Sequence, residues 1–143
     1  MNNELSEYTN GKFLFHGSDR VLKVLLPKQQ KTMRDEILVN DGKPAVCATE
    51  TLDIAIFRAL TACMRGQKGY KSSFSTEGPN KIKLRLAGDF ENELKQSKGY
   101  VHVLDRKDFK FERGYEWRSL KAVWPVEVIS VSYSDIISII EYI

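Results

Sequence analysis

The strongest constraint on this chain lies in residues 52–63, where Leu52, Ala55, Ile56, Ala59, Leu60 and Cys63 recur at the i, i+3, i+4, i+7, i+8 and i+11 spacing of one helix face. Ile54 and Phe57 widen that stripe, so the pattern predicts a deeply packed helix rather than one draped over the surface. Thr49 is placed to cap it, Glu50 and Asp53 suit its electropositive start, Arg65 suits its electronegative end, and Gly66 can close it. Arg58, Thr61 and Arg65 are left for the solvent side.

Short β-type runs surround this helix. Residues 12–16 form an apolar run closed by Gly17-Ser18, and Ala45-Val46-Cys47-Ala48 is a second buried-strand pattern leading into the helix. Lys81 to Ala87 alternates as a strand with one wet face, Tyr100 to Leu104 is a further strand, and Pro125 marks a bulge or edge within 122–133. At the C-terminus Ile136, Ile139, Ile140 and Ile143 have helical spacing behind a possible Asp135 cap, and helix is preferred although isoleucine also suits a strand. The polar stretches 28–42 and 66–80 read as long irregular excursions. One strong helix among strands too close for repeated helical crossovers predicts an α+β fold with largely antiparallel sheets, in a single domain spanning 1–143.

Several function classes recede on composition. The 143 residues carry a net charge of only +3, with acids interleaved among the bases, so no continuous field for a phosphate backbone is expected. The stretch 106–118 mixes bases with aromatics as a single-strand groove does, but Asp108, Glu112 and Glu116 would repel phosphates, and nucleic acid is disfavoured as a partner. The N-terminus lacks the basic start and apolar core of a signal peptide, and no apolar run approaches the roughly 20 residues that span a bilayer. A cytoplasmic protein without a membrane partner is expected.

Cys47 and Cys63 sit in apolar contexts and read as buried thiols. They and the two histidines make no metal pattern, so no metal site is expected. A Cys47 nucleophile beside His16 or His102 would need an exposed electropositive setting that the apolar run does not supply. No glycine-rich phosphate loop is present. His102 alternates within its strand and reads as a packed or half-exposed residue. His16 lies at a strand end before Gly17, whose missing Cβ would admit a ligand close to the backbone, and Ser18, which adds a hydroxyl. A structural histidine is an equally open reading of the same residues.

Read in order, these segments resemble the ADP-ribosyltransferase-like superfamily, in its diphtheria-toxin and poly-ADP-ribose polymerase branch. The matching features are Phe15-His16-Gly17-Ser18 at a first strand end, Val46-Cys47-Ala48-Thr49 leading into a helix with Ala55 and Ala59, and Tyr115-Glu116-Trp117-Arg118-Ser119 late in the chain. The resemblance implies two small, mainly antiparallel sheets with a ligand cleft and one main packed helix. It implies NAD as substrate, held by His16, Gly17, Ser18 and Thr49, with Glu116 as the catalytic acid. Where the superfamily carries a tyrosine stacked on nicotinamide, this chain has Val46 or Cys47, and Tyr70 or Tyr115 would supply the aromatic instead.

The expected activity is ADP-ribose transfer to an unknown acceptor, or hydrolysis of the glycosidic bond of NAD. A non-catalytic domain of the same fold, binding a nucleotide or a protein, is the alternative. A relative that moves an RNA phosphate onto NAD is a third reading, and the basic pocket it needs is not evident in the sequence. Without the resemblance, Glu116 reads as a solvent-facing residue paired with Arg113 or Arg118.

Overall fold

The computed structural model describes residues 3–76 and 81–143. Its elements in chain order are α1 (Asn3–Ser6), β1 (Phe13–Ser18), β2 (Lys31–Arg34), β3 (Ile37–Asn40), β4 (Val46–Ala48) and α2 (Leu52–Thr61). There follow β5 (Ser72–Thr76), β6 (Ile82–Leu86), α3 (Glu91–Gln96), β7 (Lys98–Asp105), β8 (Lys110–Arg113), β9 (Glu116–Ser119), β10 (Glu127–Ser132) and β11 (Ile140–Tyr142). The fold is α+β, and its strands pair antiparallel except for β11 against β6.

Among the described residues there are three three-stranded sheets, β1-β7-β10, β4-β9-β8 and β11-β6-β5, and a hairpin of β2 with β3. The first two sheets meet where Phe15 and Thr49 exchange backbone hydrogen bonds of 2.7 and 2.9 Å. This junction sets the middle of β1 beside the end of β4, and the cleft described below forms there.

Strands β1 and β7 are covered on both faces. Their register pairs Phe15 with Val103 and Gly17 with Val101 on one face, and Leu14 with Leu104 and His16 with His102 on the other. The first face packs with Ile56, Leu60, Leu84, Leu94 and Ile129 in the main core; the second joins Leu25, Val46, Phe109 and Val123 in a smaller one. Burial on both sides explains why these strands are nearly continuous apolar runs.

Helix α2 crosses the first face so closely that no side chain fits beneath it. A Cβ on Gly17 would lie 2.1 Å from the Ala55 carbonyl oxygen, and one on Gly99 would lie 2.7 Å from that of Ala59. The alanines and the glycines are thus the two halves of one close approach.

Several expectations need correction. Thr49 does not cap α2: Thr51 occupies the N-cap position, and the Thr49 hydroxyl accepts the Thr51 N–H at 3.1 Å. Its backbone is held extended by Phe15, so the helix begins two residues later. Thr61 is buried and donates its hydroxyl to the Phe57 carbonyl at 2.8 Å, which satisfies it without solvent. Cys63 is exposed rather than buried, because α2 ends at Thr61 and the apolar face does not continue to it.

The two polar stretches are also more ordered than their composition suggests. Residues 28–42 contain the β2–β3 hairpin, turned by Asp35 and Glu36 at φ of 52° and 64°. Within 66–80, β5 pairs with β6; residues 77–80 lie outside the described part. At the C-terminus the expected helix gives way to a short 3-10 turn and β11. Parallel pairing of Ile140 with Leu84 extends the β6 sheet, and Ile136 is sequestered in the core. The β-branched isoleucines suit that strand, and β6 offers the free edge that decides it. No helix among the described residues is long and apolar enough to cross a membrane.

Candidate active-site cleft

A cleft of about 450 Å³ opens at the junction of β1, β4 and α2, lined by His16, Gly17, Cys47, Thr49 and Arg58, among others. Its outer wall is residues 22–28, tied down where Leu25 exchanges backbone bonds with Val123 and Lys28 with Ala45. A second hollow of about 320 Å³, lined by Phe74, Ser72, Ser73 and Glu116, adjoins it. The two hollows share Gln30, Cys47, Arg58 and Arg65. His16 and Glu116 therefore belong to neighbouring compartments with common walls.

The His16 Nδ1–H donates to the Cys47 carbonyl at 2.7 Å, which leaves Nε2 as the acceptor of the neutral ring. Burial pushes its pKa down, and the nearby charges of Arg58, Lys28 and Arg65 push the same way against the opposing carbonyl contact. His102, fully buried behind it, is committed at both nitrogens: Nδ1–H donates to the His16 carbonyl at 3.3 Å and Nε2 accepts the Leu22 N–H at 2.9 Å. Burial lowers its pKa as well. The packed reading of His102 holds.

These shifts fix the sign of a pH effect. In the unfolded chain a histidine takes up its proton near pH 6.5, whereas in the fold both resist protonation until lower pH. The unfolded state then binds more protons, so their contribution to stability is present above about pH 6.5 and is lost as pH falls towards the folded values. Chemical denaturation should show stability declining from pH 7 to pH 5, with a shallower decline in His102→Gln. An equally steep decline in that variant would contradict the role given to His102.

Glu116 stands at the start of β9, where the register sets Cys47 opposite Arg118. Glu116 and Arg118 share a strand face, and Arg118 Nε donates to Glu116 Oε2 at 2.8 Å. The same guanidinium donates to the Asp41 carbonyl at 2.6 Å and to Asp41 Oδ2 at 2.9 Å. Arg113 also pairs with Asp41, not with Glu116. The expectation of a pairing with Arg118 is met, and the same carboxylate lines the second hollow.

Burial, followed by the Glu116 charge, pushes the Cys47 thiol up to about 11, so it is a poor nucleophile near neutral pH. Among the described residues no group of histidine, cysteine, aspartate or glutamate could hold a metal ion.

The remaining expected residues divide. Thr49 lines the cleft, but Ser18 lines neither hollow, and its hydroxyl accepts the Arg20 N–H at 3.3 Å. Gly17 lines the cleft too, yet the space its Cβ would fill belongs to α2, so helix packing rather than ligand approach requires the glycine. Tyr70 lies outside both hollows, edge-on to Phe90 with its hydroxyl on Ser72. Tyr115 stands edge-on to Phe74, ring centroids 5.2 Å apart, and donates its hydroxyl to Thr76. The aromatic ring lining the Glu116 hollow is Phe74, with the Arg58 guanidinium 5.8 Å from its centroid.

Lys28, Gln30, Arg58, Arg65 and Phe74 are the site residues that sequence reasoning passed over. Arg58 does not face open water as expected but the cleft; burial, then Arg65, lowers its pKa. The seven-residue separation of Arg58 and Arg65 was the available signal. No protein-family model, curated protein or solved structure matches the chain.

Proposed function

We propose that this cleft binds NAD and that the protein cleaves its nicotinamide glycosidic bond, passing ADP-ribose to an acceptor or to water. The observation that carries this reading is the convergence of His16 and Glu116, a hundred residues apart in sequence, on two hollows with shared walls. Neutral His16, anchored through Nδ1, offers Nε2 to a ribose hydroxyl. Glu116, held by Arg118, supplies the anion that stabilises an oxocarbenium ion. The C1–N bond breaks with its electron pair passing to the ring nitrogen of nicotinamide, which departs neutral. The acceptor oxygen or nitrogen then bonds to C1 and releases its proton. Phe74, with Tyr115 behind it, takes the place of the expected stacking aromatic.

The test follows nicotinamide release from NAD by wild type, His16→Ala and Glu116→Gln. Glu116→Gln should lose about 100-fold or more of the rate, as removal of one group stabilising transition-state charge does. His16→Ala should weaken NAD binding as well. Equal background release by all three proteins rejects the catalytic reading. A second reading, nucleotide binding without turnover, is favoured by the neutralising contact of Arg118 on Glu116. Calorimetry then finds NAD binding that is lost in His16→Ala and kept in Glu116→Gln.

A further inference from the structure

Three cationic side chains, Lys28, Arg58 and Arg65, line the larger hollow, and no carboxylate is among its lining residues. Among the described residues, none of the three forms an ion pair. Their charges act together, since all three depress His16. Arg58 is the most confined: it is partly desolvated, repelled by Arg65, and lies 5.8 Å from the centroid of the Phe74 ring, while the Glu116 charge acts on it across the second hollow without forming an ion pair. A guanidinium partly withdrawn from water with no carboxylate in contact is costly, and an anionic ligand offsets that cost on binding.

We propose that Arg58, Arg65 and Lys28 form a diphosphate-binding subsite, so that the ligand is recognised through a phosphoanhydride. Arg58 and Arg65 line both hollows, which places the anion at the passage between them, with His16 on one side and Glu116 on the other. Two linked phosphates span such a passage and present several oxygens to the planar forks of two arginines, while Lys28 adds a point charge from the opposite wall. The surrounding apolar residues, such as Leu25 and Ala55, keep the local dielectric low and strengthen the attraction. This deepens the NAD reading by naming the group that docks the ligand, but it does not depend on glycosidic cleavage.

Isothermal titration at low ionic strength with inorganic pyrophosphate, inorganic phosphate, ADP and adenosine tests the subsite. Pyrophosphate and ADP should bind wild type, phosphate should bind more weakly, and adenosine should bind least. Arg58→Gln should weaken pyrophosphate and ADP about tenfold or more, with Arg58→Lys recovering part of the loss. Should Arg58→Gln fail to fold, the double variant Lys28→Gln/Arg65→Gln, altered at two exposed positions, should show a comparable weakening. Absence of pyrophosphate binding to wild type overturns the proposal, as does unchanged affinity in the double variant. Phosphate binding as tightly as pyrophosphate would also overturn it, pointing to a single phosphate ester. Pyrophosphate binding without nicotinamide release would leave the subsite standing and reject the catalytic reading.

Discussion

Gly17→Ala is expected to cost about 3 kcal/mol or more of folding stability, near the upper end for an overpacked site. The added methyl would meet the Ala55 carbonyl oxygen at 2.1 Å and the Ala59 nitrogen at 2.7 Å. Both are backbone atoms of α2, so no rotamer change relieves the clash, and the helix must lift from β1 and β7. For a chain of this length that loss corresponds to a fall in Tm of roughly 10 °C. Gly88→Ala is the internal comparison, because its methyl meets nothing closer than 3.8 Å. If Gly17→Ala melts with Gly88→Ala, the close approach of α2 to the sheet is wrong. The same lift would displace Arg58, so pyrophosphate affinity should fall along with stability.

The second large effect is expected at Arg118, whose side chain is only 7% exposed and holds Glu116 and Asp41 together. Arg118→Met keeps much of the stem packing but removes every one of these charge-assisted contacts. Breaking a buried ion pair from one side costs up to about 5 kcal/mol, because the remaining charge is stranded. Here Glu116 and Asp41 retain 24% and 17% exposure and can recover water, so about 2 kcal/mol is the expected loss. Denaturant unfolding measures it, and a double-mutant cycle with Glu116→Gln isolates the pairwise part. A coupling near zero would mean that Arg118 serves Asp41 alone. In the nicotinamide assay Arg118→Met should lower the rate, since Glu116 is no longer held in one orientation.

How far the site was legible varied from residue to residue. The strand through His16, the buried run through Cys47 and the amphipathic segment from Leu52 all carry local periodicity and appear as β1, β4 and α2. Strand β1 does not end at His16 as expected, however, but continues through Gly17 and Ser18, which pair with Val101 and Tyr100 of β7. The start of α2 was misplaced because Thr49, a good cap in isolation, is claimed by a backbone bridge to Phe15. The C-terminal isoleucines illustrate a different failure. Their spacing fits a helix, but the free edge of β6 is invisible in a window of eight residues, and it draws Ile140–Tyr142 into a strand.

Charge was the least legible property. A net +3 did not show a cationic cleft, since Lys28 comes from a segment remote from Arg58 and Arg65; the local signal was the run 54–76, which carries Arg58, Arg65, Lys68 and Lys71 and no acid. Folding sorts them. Asp41 goes to Arg113 and Arg118, Glu50 goes to Arg106, and the three cations are left to the cleft. Which opposite charges neutralise one another depends on distances of a few ångströms across the fold, and composition does not carry these.

By itself, then, the sequence determined the α+β class, the packed helix and the burial of β1, because periodicity and β-branching act over a few neighbouring residues. The tertiary structure alone decided why Gly17 must be glycine, where α2 begins, what the C-terminus forms and which charges face the cleft. Each of these turns on an approach between segments far apart in the chain: α2 against β1, Phe15 against Thr49, β11 against β6, Arg58 against Phe74. Local propensity is a matter of tenths of a kcal/mol per residue, and a backbone clash or an unpaired buried charge outweighs it.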